Sequence, residues 1–142
     1  MQGFIKANLD ASLNEQNMGI GIVIRDEKGE VMASACYKKQ PVKDPTLAES
    51  LALWQTVELC NDLGLNKVIL EAGDAQAVVN DVNRGEDQDL SLCGHIIEDI
   101  KLAVLRGRHN WKVQYINRKG NEGAYSLAKA AVQFEHEVGV EN

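Results

Sequence analysis

The chain has 142 residues, 44% of them hydrophobic and 25% charged, with a formal net charge of −6. That length suits a single domain over residues 1–142, able to bury roughly two thirds of its unfolded surface, and no repeat or linker divides it. The acidic balance excludes a generic polyanion binder, and the absence of any long apolar run or leader-like segment argues against a membrane protein.

In chain order, Phe4 to Asp10 alternates apolar and polar residues and is predicted as a first strand. A polar turn follows, then a second strand from Met18 to Ile24, in which Gly19 and Gly21 allow a neighbouring layer to approach closely. Arg25-Asp-Glu-Lys-Gly29 is a tight turn into a third strand, Val31 to Tyr37. Asp44-Pro45-Thr46 starts a helix with an acidic N-cap and a proline at the first helical position; Gly64 closes it in the left-handed conformation. Leu47, Leu51, Trp54 and Leu59, with Ala48, Ala52 and Cys60, leave few polar positions, so this helix is expected to be covered on more than one side. Val68-Ile69-Leu70 is a buried fourth strand, and Ala75 to Val82 a short helix. Asn83 to Asp89 is an acidic loop, and Leu90 to Arg106 a helix ended by Gly107. Trp111 to Ile116 is a fifth strand. Asn121 caps a last helix whose Ala124, Leu127, Ala128, Ala131 and Phe134 face inward, and the tail after His136 is expected to fray. Cys36, Cys60 and Cys93 lie in apolar segments without metal-binding spacing. They are read as buried thiols of a nuclear or cytoplasmic protein.

This order, β-β-β-α-β-α-α-β-α, implies an antiparallel meander followed by a helical crossover to a strand parallel to the first. The carboxyl ends of strands one and four then share an edge, where open α/β sheets place ligands. Asp10 and Asp74 end there, and Glu49, one turn inside the crossover helix, points over the same edge. Taken alone, Asp74 reads as a cap on the helix that follows it. Three converging carboxylates repel one another unless cations neutralise them, and hard oxygen donors suit Mg²⁺ or Mn²⁺. Two such ions can activate a water and stabilise a leaving oxygen in phosphodiester cleavage.

Five segments, Lys6-x-Asn8-x-Asp10, Leu47-Ala-Glu49-x-x-Ala-Leu, Leu63-Gly64-Leu65-x-Lys67-Val-Ile, Asp74-Ala-Gln76-x-Val-Val-Asn and Arg118-Lys-Gly-Asn121-Glu-Gly-Ala124-x-x-Leu127-Ala128-Lys129, span essentially the whole chain. Together they resemble the ribonuclease H family, in its reverse-transcriptase-like form from plant retroelements. The resemblance implies an α/β ribonuclease H-like fold: a five-stranded mixed sheet, three strands antiparallel and two parallel to the first, with helices on both faces. It implies metal-dependent hydrolysis of the RNA strand of an RNA–DNA hybrid, leaving 5′-phosphate and 3′-hydroxyl ends. Asp10, Glu49 and Asp74 would be the metal ligands, Gln76 would approach the hybrid backbone, and Ala11 stands where the family has a substrate-facing glycine. It also suggests a monomeric domain excised from a longer protein.

The departures are chemical. Tyr125 occupies the family's fourth acid position, and a phenol with pKa near 10 is a poor ligand for a hard metal. Tyr115 aligns with its histidine and cannot shuttle protons near neutral pH. Glu122, one turn earlier, is a candidate replacement ligand. Glu71-Ala-Gly-Asp74 is one residue longer than the family pattern, and Gly73 is expected to absorb the extra residue as a bulge. Lys101, Arg106, Arg108, His109, Lys112, Arg118 and Lys119 form the only basic concentration, read either as solvated surface or as phosphate contacts, with Arg118 and Lys119 beside the site. Glu86-Asp87-Gln88-Asp89 lies where some family members are basic, so hybrid affinity is expected to be weak. Trp54 and Trp111 are read as core. Two functions remain in view: a slowed hybrid-directed ribonuclease, and a catalytically silent descendant binding nucleic acid or protein.

Overall fold

A computed structural model of the protein describes residues 3–73, 92–105, 111–133 and 140–141. Asp74, Gln76, the helix expected at 75–82, the acidic loop 83–89, Arg106 to His109, Phe134 and His136 lie outside the described residues. Strands β1 (Ile5–Leu13), β2 (Met18–Arg25), β3 (Val31–Lys39), β4 (Val68–Ala72), β5 (Trp111–Tyr115) and β6 (Val140–Glu141) form one sheet; the described helices are α1 (Pro45–Asp62), α2 (Leu92–Leu105) and α3 (Glu122–Ala131). The sheet order is β5-β4-β1-β2-β3-β6. β1, β2 and β3 pair antiparallel, whereas β4 joins β1, and β5 joins β4, in parallel. The five-stranded mixed sheet implied by the sequence is therefore present. To it is added a short sixth strand, since Val140 and Glu141 pair with Ala35 and Ser34 where a frayed tail was expected.

Strand alternation sorts the residues onto two faces. Leu9, Ile22, Ala35 and Leu70 share one face and pack with Ala52, Leu53 and Val57 of α1 and with Ile97 and Ile100 of α2 into a common core. Each large aliphatic side chain enclosed there contributes about 1.5–3 kcal/mol. α1 packs on the sheet on one side and on α2 on the other, which is why its sequence has no polar stripe. Its buried Ser50 and Thr56 satisfy their hydroxyls within the helix, donating to the carbonyls of Thr46 (2.9 Å) and Ala52 (2.8 Å). Trp111 is buried and Trp54 packs against the core, as the sequence suggested. No helix among the described residues is long and apolar enough to cross a membrane.

The local signals hold. Asp44 caps α1 by accepting the Thr46 N–H at 2.9 Å, and Gly64 ends the connection with φ +72°. The β2–β3 turn is tied by the Asp26 carboxylate, which accepts the N–H groups of Lys28 (2.9 Å) and Glu30 (3.0 Å), with Gly29 at φ +87°. On the opposite sheet face, α3 crosses β2 and β1. A β-carbon on Gly19 or Gly21 would stand 2.1 Å from the carbonyl oxygens of Ala128 or Ala124, so only glycine admits the helix backbone this close.

Candidate active site

β3 runs in the direction of β1, so α1 begins at the end of the sheet where β1 and β4 finish. That places Asp10, the first turns of α1 with Glu49, and the residues leaving β4 at one edge. Asp10 pairs across from Gly21 and is only 2% exposed. One of its oxygens, Oδ1, accepts the N–H of Ala11 at 2.9 Å. Glu49 is half-buried, and its Oε2 atom is out of solvent. β4 stops pairing at Leu9–Ala72, while β1 continues through Asp10 to Leu13, leaving the Asp10 segment without β4 beside it. Among the described residues no three acids, histidines or cysteines are grouped to hold a metal ion. The expected third carboxylate, Asp74, lies outside them.

The register from Ile5–Val68 to Leu9–Ala72 is unbroken, so the residue added before Asp74 is not a bulge in the ladder; Gly73 follows the strand as a bend. The structure gives that glycine another reason. A β-carbon there would sit 2.7 Å from Nδ2 of Asn121. Asn121 itself corrects the sequence reading, because its side chain makes no cap to α3. It donates instead from Nδ2 to the carbonyl oxygen of Leu9 at 2.8 Å. The capping work is done one turn earlier, where Asn117 accepts the N–H of Gly120 at 3.0 Å and starts a 3₁₀ turn over Arg118–Asn121.

A second polar feature escaped the sequence reading. Glu71 is buried, and both its oxygens are held: Oε1 by Asn8 Nδ2 at 3.2 Å and Oε2 by Gln114 Nε2 at 2.6 Å. Asn8, Glu71 and Gln114 are register partners across β1, β4 and β5, one pleat from Asp10. The available signal was an acid inside an otherwise apolar strand. Asn8 and Glu71 of this row line a groove of about 390 Å³ together with Lys6, Arg25 and Gly120.

Other predicted residues are placed as follows. Ala11 is half-buried on β1 and Lys119 is exposed on the 3₁₀ turn. Glu122 is exposed at the start of α3; Tyr115 is exposed at the end of β5; Tyr125 is half-buried, with Lys129 Nζ 5.4 Å from its ring centre. Arg118 lies in the 3₁₀ turn, its side chain outside the described set. Lys101 departs from the basic-surface reading, being buried in α2 and paired with Glu98 at 3.3 Å. Lys112 is exposed, with its Nζ 5.2 Å from the ring centre of Phe4.

The profile described as reverse transcriptase-like matches residues 8–131. The chain belongs to the reverse transcriptase-like family. No curated protein matches it. Among solved structures, this family member is similar to ribonuclease H1 of the halophilic archaeon Halobacterium salinarum, with 21% identity, a TM-score of 0.76, and coverage of 92% of this chain and 98% of that one. It is similar to LC11-RNase H1, isolated from compost and solved in complex with an RNA/DNA hybrid, at 20% identity and a TM-score of 0.77, covering 92% and 96%. The foamy viral protease-reverse transcriptase, also solved with an RNA/DNA hybrid, matches at 14% identity and a TM-score of 0.71 over 92% of this chain and 20% of that chain. The fold of this reverse transcriptase-like chain is thus that of ribonuclease H.

Proposed function

We propose that the protein is a divalent-metal-dependent endoribonuclease that hydrolyses the RNA strand of RNA–DNA hybrids, with Asp10, Glu49 and Asp74 as metal ligands. Family membership and the ribonuclease H fold support hydrolase chemistry of this class. The observation that carries the reading is the position of Asp10: a carboxylate 2% exposed, at the edge where β4 ends and α1 begins. Hard carboxylate oxygens at that edge suit Mg²⁺ or Mn²⁺. Bound there, such an ion would lower the pKa of a coordinated water and offset charge on the departing oxygen.

In the reaction, a water oxygen bonds to phosphorus as the bond to the 3′-oxygen breaks. The water proton passes to solvent, the 3′-oxygen gains a proton, and a 5′-phosphate and a 3′-hydroxyl result. Ala11 presents a methyl group, and its N–H is already committed to Asp10. Lys119, exposed beside the edge, and Arg118 are the residues proposed to meet the backbone phosphates, with Gln76 contributing from its own segment. Tyr115 stands where the family has its histidine, so no imidazole is supplied there and proton transfer falls to solvent, at a cost of about 10²–10⁴ in rate. Hybrid binding by this acidic chain is proposed to be weak, and the chain to act as a monomer.

The two tyrosines support a second reading, a silent interaction module for nucleic acid or protein. A labelled hybrid incubated with Mg²⁺ or Mn²⁺ distinguishes them. Slow cleavage, abolished by EDTA and lowered at least about 100-fold by Asp10→Asn, is expected. Wild-type protein as inert as Asp10→Asn, with a partner retained by both at high salt, establishes the silent module instead.

A further inference from the structure

Three observations meet at Asn121. Its side chain is 2% exposed, and Nδ2 donates to the carbonyl oxygen of Leu9, the residue before Asp10. The same nitrogen fills the space a side chain at position 73 would need, directly after β4 ends. Its Oδ1 atom is buried and accepts no hydrogen bond from the described residues. An asparagine at a helix start ordinarily caps that helix. Burying the amide to reach a strand carbonyl instead, with one acceptor unmet, is costly. A leucine-sized side chain would fill the same volume without that cost.

We propose that Asn121 is a positioning residue, which pins the β1 backbone just before Asp10 against the bend that follows β4 and so sets the spacing of the two strand ends at the edge. The inference rests on the reading of that edge as a cation site. The hydrogen bond fixes the Leu9 peptide, whose neighbour carries the Asp10 carboxylate; contact with Gly73 fixes how the chain leaves β4. Glycine at 73 and asparagine at 121 therefore act as a matched pair. Removing the side chain at 121 should make a methyl at 73 tolerable, whereas that methyl alone displaces the amide from Leu9.

The test uses Asn121→Ala, Gly73→Ala and the double variant, each checked for folding by circular dichroism and titrated with Mn²⁺ alone. The backbone N–H of Ala11, which reports the Asp10 carboxylate directly, is followed in nitrogen-15 spectra, and cleavage of an RNA–DNA hybrid is measured alongside. Each single variant is expected to shift the Ala11 resonance and weaken Mn²⁺ binding by about 10-fold or more, the range for residues that orient metal ligands. The double variant should be no weaker than Asn121→Ala. Unmoved Ala11 resonances in both single variants, or losses that simply multiply in the double variant, overturn the proposal. If the wild type neither binds Mn²⁺ nor cleaves, the cation site is wrong, and the Ala11 resonance still decides whether Asn121 sets the geometry of Asp10. If Asn121→Ala does not fold, Gly73→Ala carries the decision.

Discussion

Cys60 is enclosed within the core side of α1, and burial pushes its thiol from an ordinary 9.0 up to about 12. Below pH 9 both folded and unfolded chains keep this proton and the group is neutral to stability. Between about 9 and 12 the unfolded chain loses it while the folded chain retains it, so stability falls as pH rises, by at most about 1.4 kcal/mol per pH unit. Urea midpoints at pH 8, 9.5 and 10.5 should decline more steeply in the wild type than in Cys60→Ala; parallel declines would mean that the thiol is not the cause. Asp10 was legible in the sequence as the last polar step of an alternating strand, though not as an acid kept out of water. Its carboxylate's bond to the Ala11 N–H was not, because that depends on local backbone direction rather than on residue type.

At the scale of elements, glycines separate two kinds of constraint. Gly21 has an ordinary backbone but no room: a β-carbon there would stand 2.5 Å from the Ala128 nitrogen, and nearer still to the Ala124 oxygen. Gly64 has open space but φ +72°. Gly21→Ala should therefore cost about 3 kcal/mol by forcing α3 off the sheet, and Gly64→Ala about 1 kcal/mol through backbone strain alone. Urea denaturation of the two variants checks the order, and equal losses would show that α3 does not press on β2 as described. The close approach at Gly19 and Gly21 was readable because small residues two apart share a strand face. The α1 start was readable because Asp44 and Pro45 act on their own helix. Asn121 was misread for the opposite reason: its partner, Leu9, is 112 residues away, and a capping signal looks the same whether or not the side chain caps. Lys101 failed similarly, since helical spacing carries it inward beside Glu98 although its neighbours in sequence suggested a basic surface.

For the whole molecule, the net charge of −6 and the acids assigned to one edge make cation binding a stability question as well as a catalytic one. A divalent ion that binds only the folded state at ten times its Kd adds about 1.4 kcal/mol, a rise of about 4 °C in Tm for a chain of this size. Thermal unfolding with Mg²⁺ or Mn²⁺ against EDTA should show that rise in the wild type and not in Asp10→Asn; an equal rise in both would move the ion away from Asp10. The place of β4 beside β1 was legible because hairpin turns and one long helix leave few ways to put it, whereas the second parallel strand was implied only by the family resemblance. What pattern alone could not supply was the two-residue strand at the outer edge, Val140–Glu141, which is too short to have a period.

The placement of β1 between β2 and β4 bears on how the protein comes into being. β1 meets β2 across a short turn but meets β4 only after β2, β3 and the whole of α1 have been laid down, and contacts so distant in the chain close late in folding. The hairpins can therefore assemble while the Leu9–Ala72 junction is still apart. A chain halted before β4 would hold most of one layer without the edge that β1 and β4 share: the proposed site is assembled by the closing step, not by the first compact form.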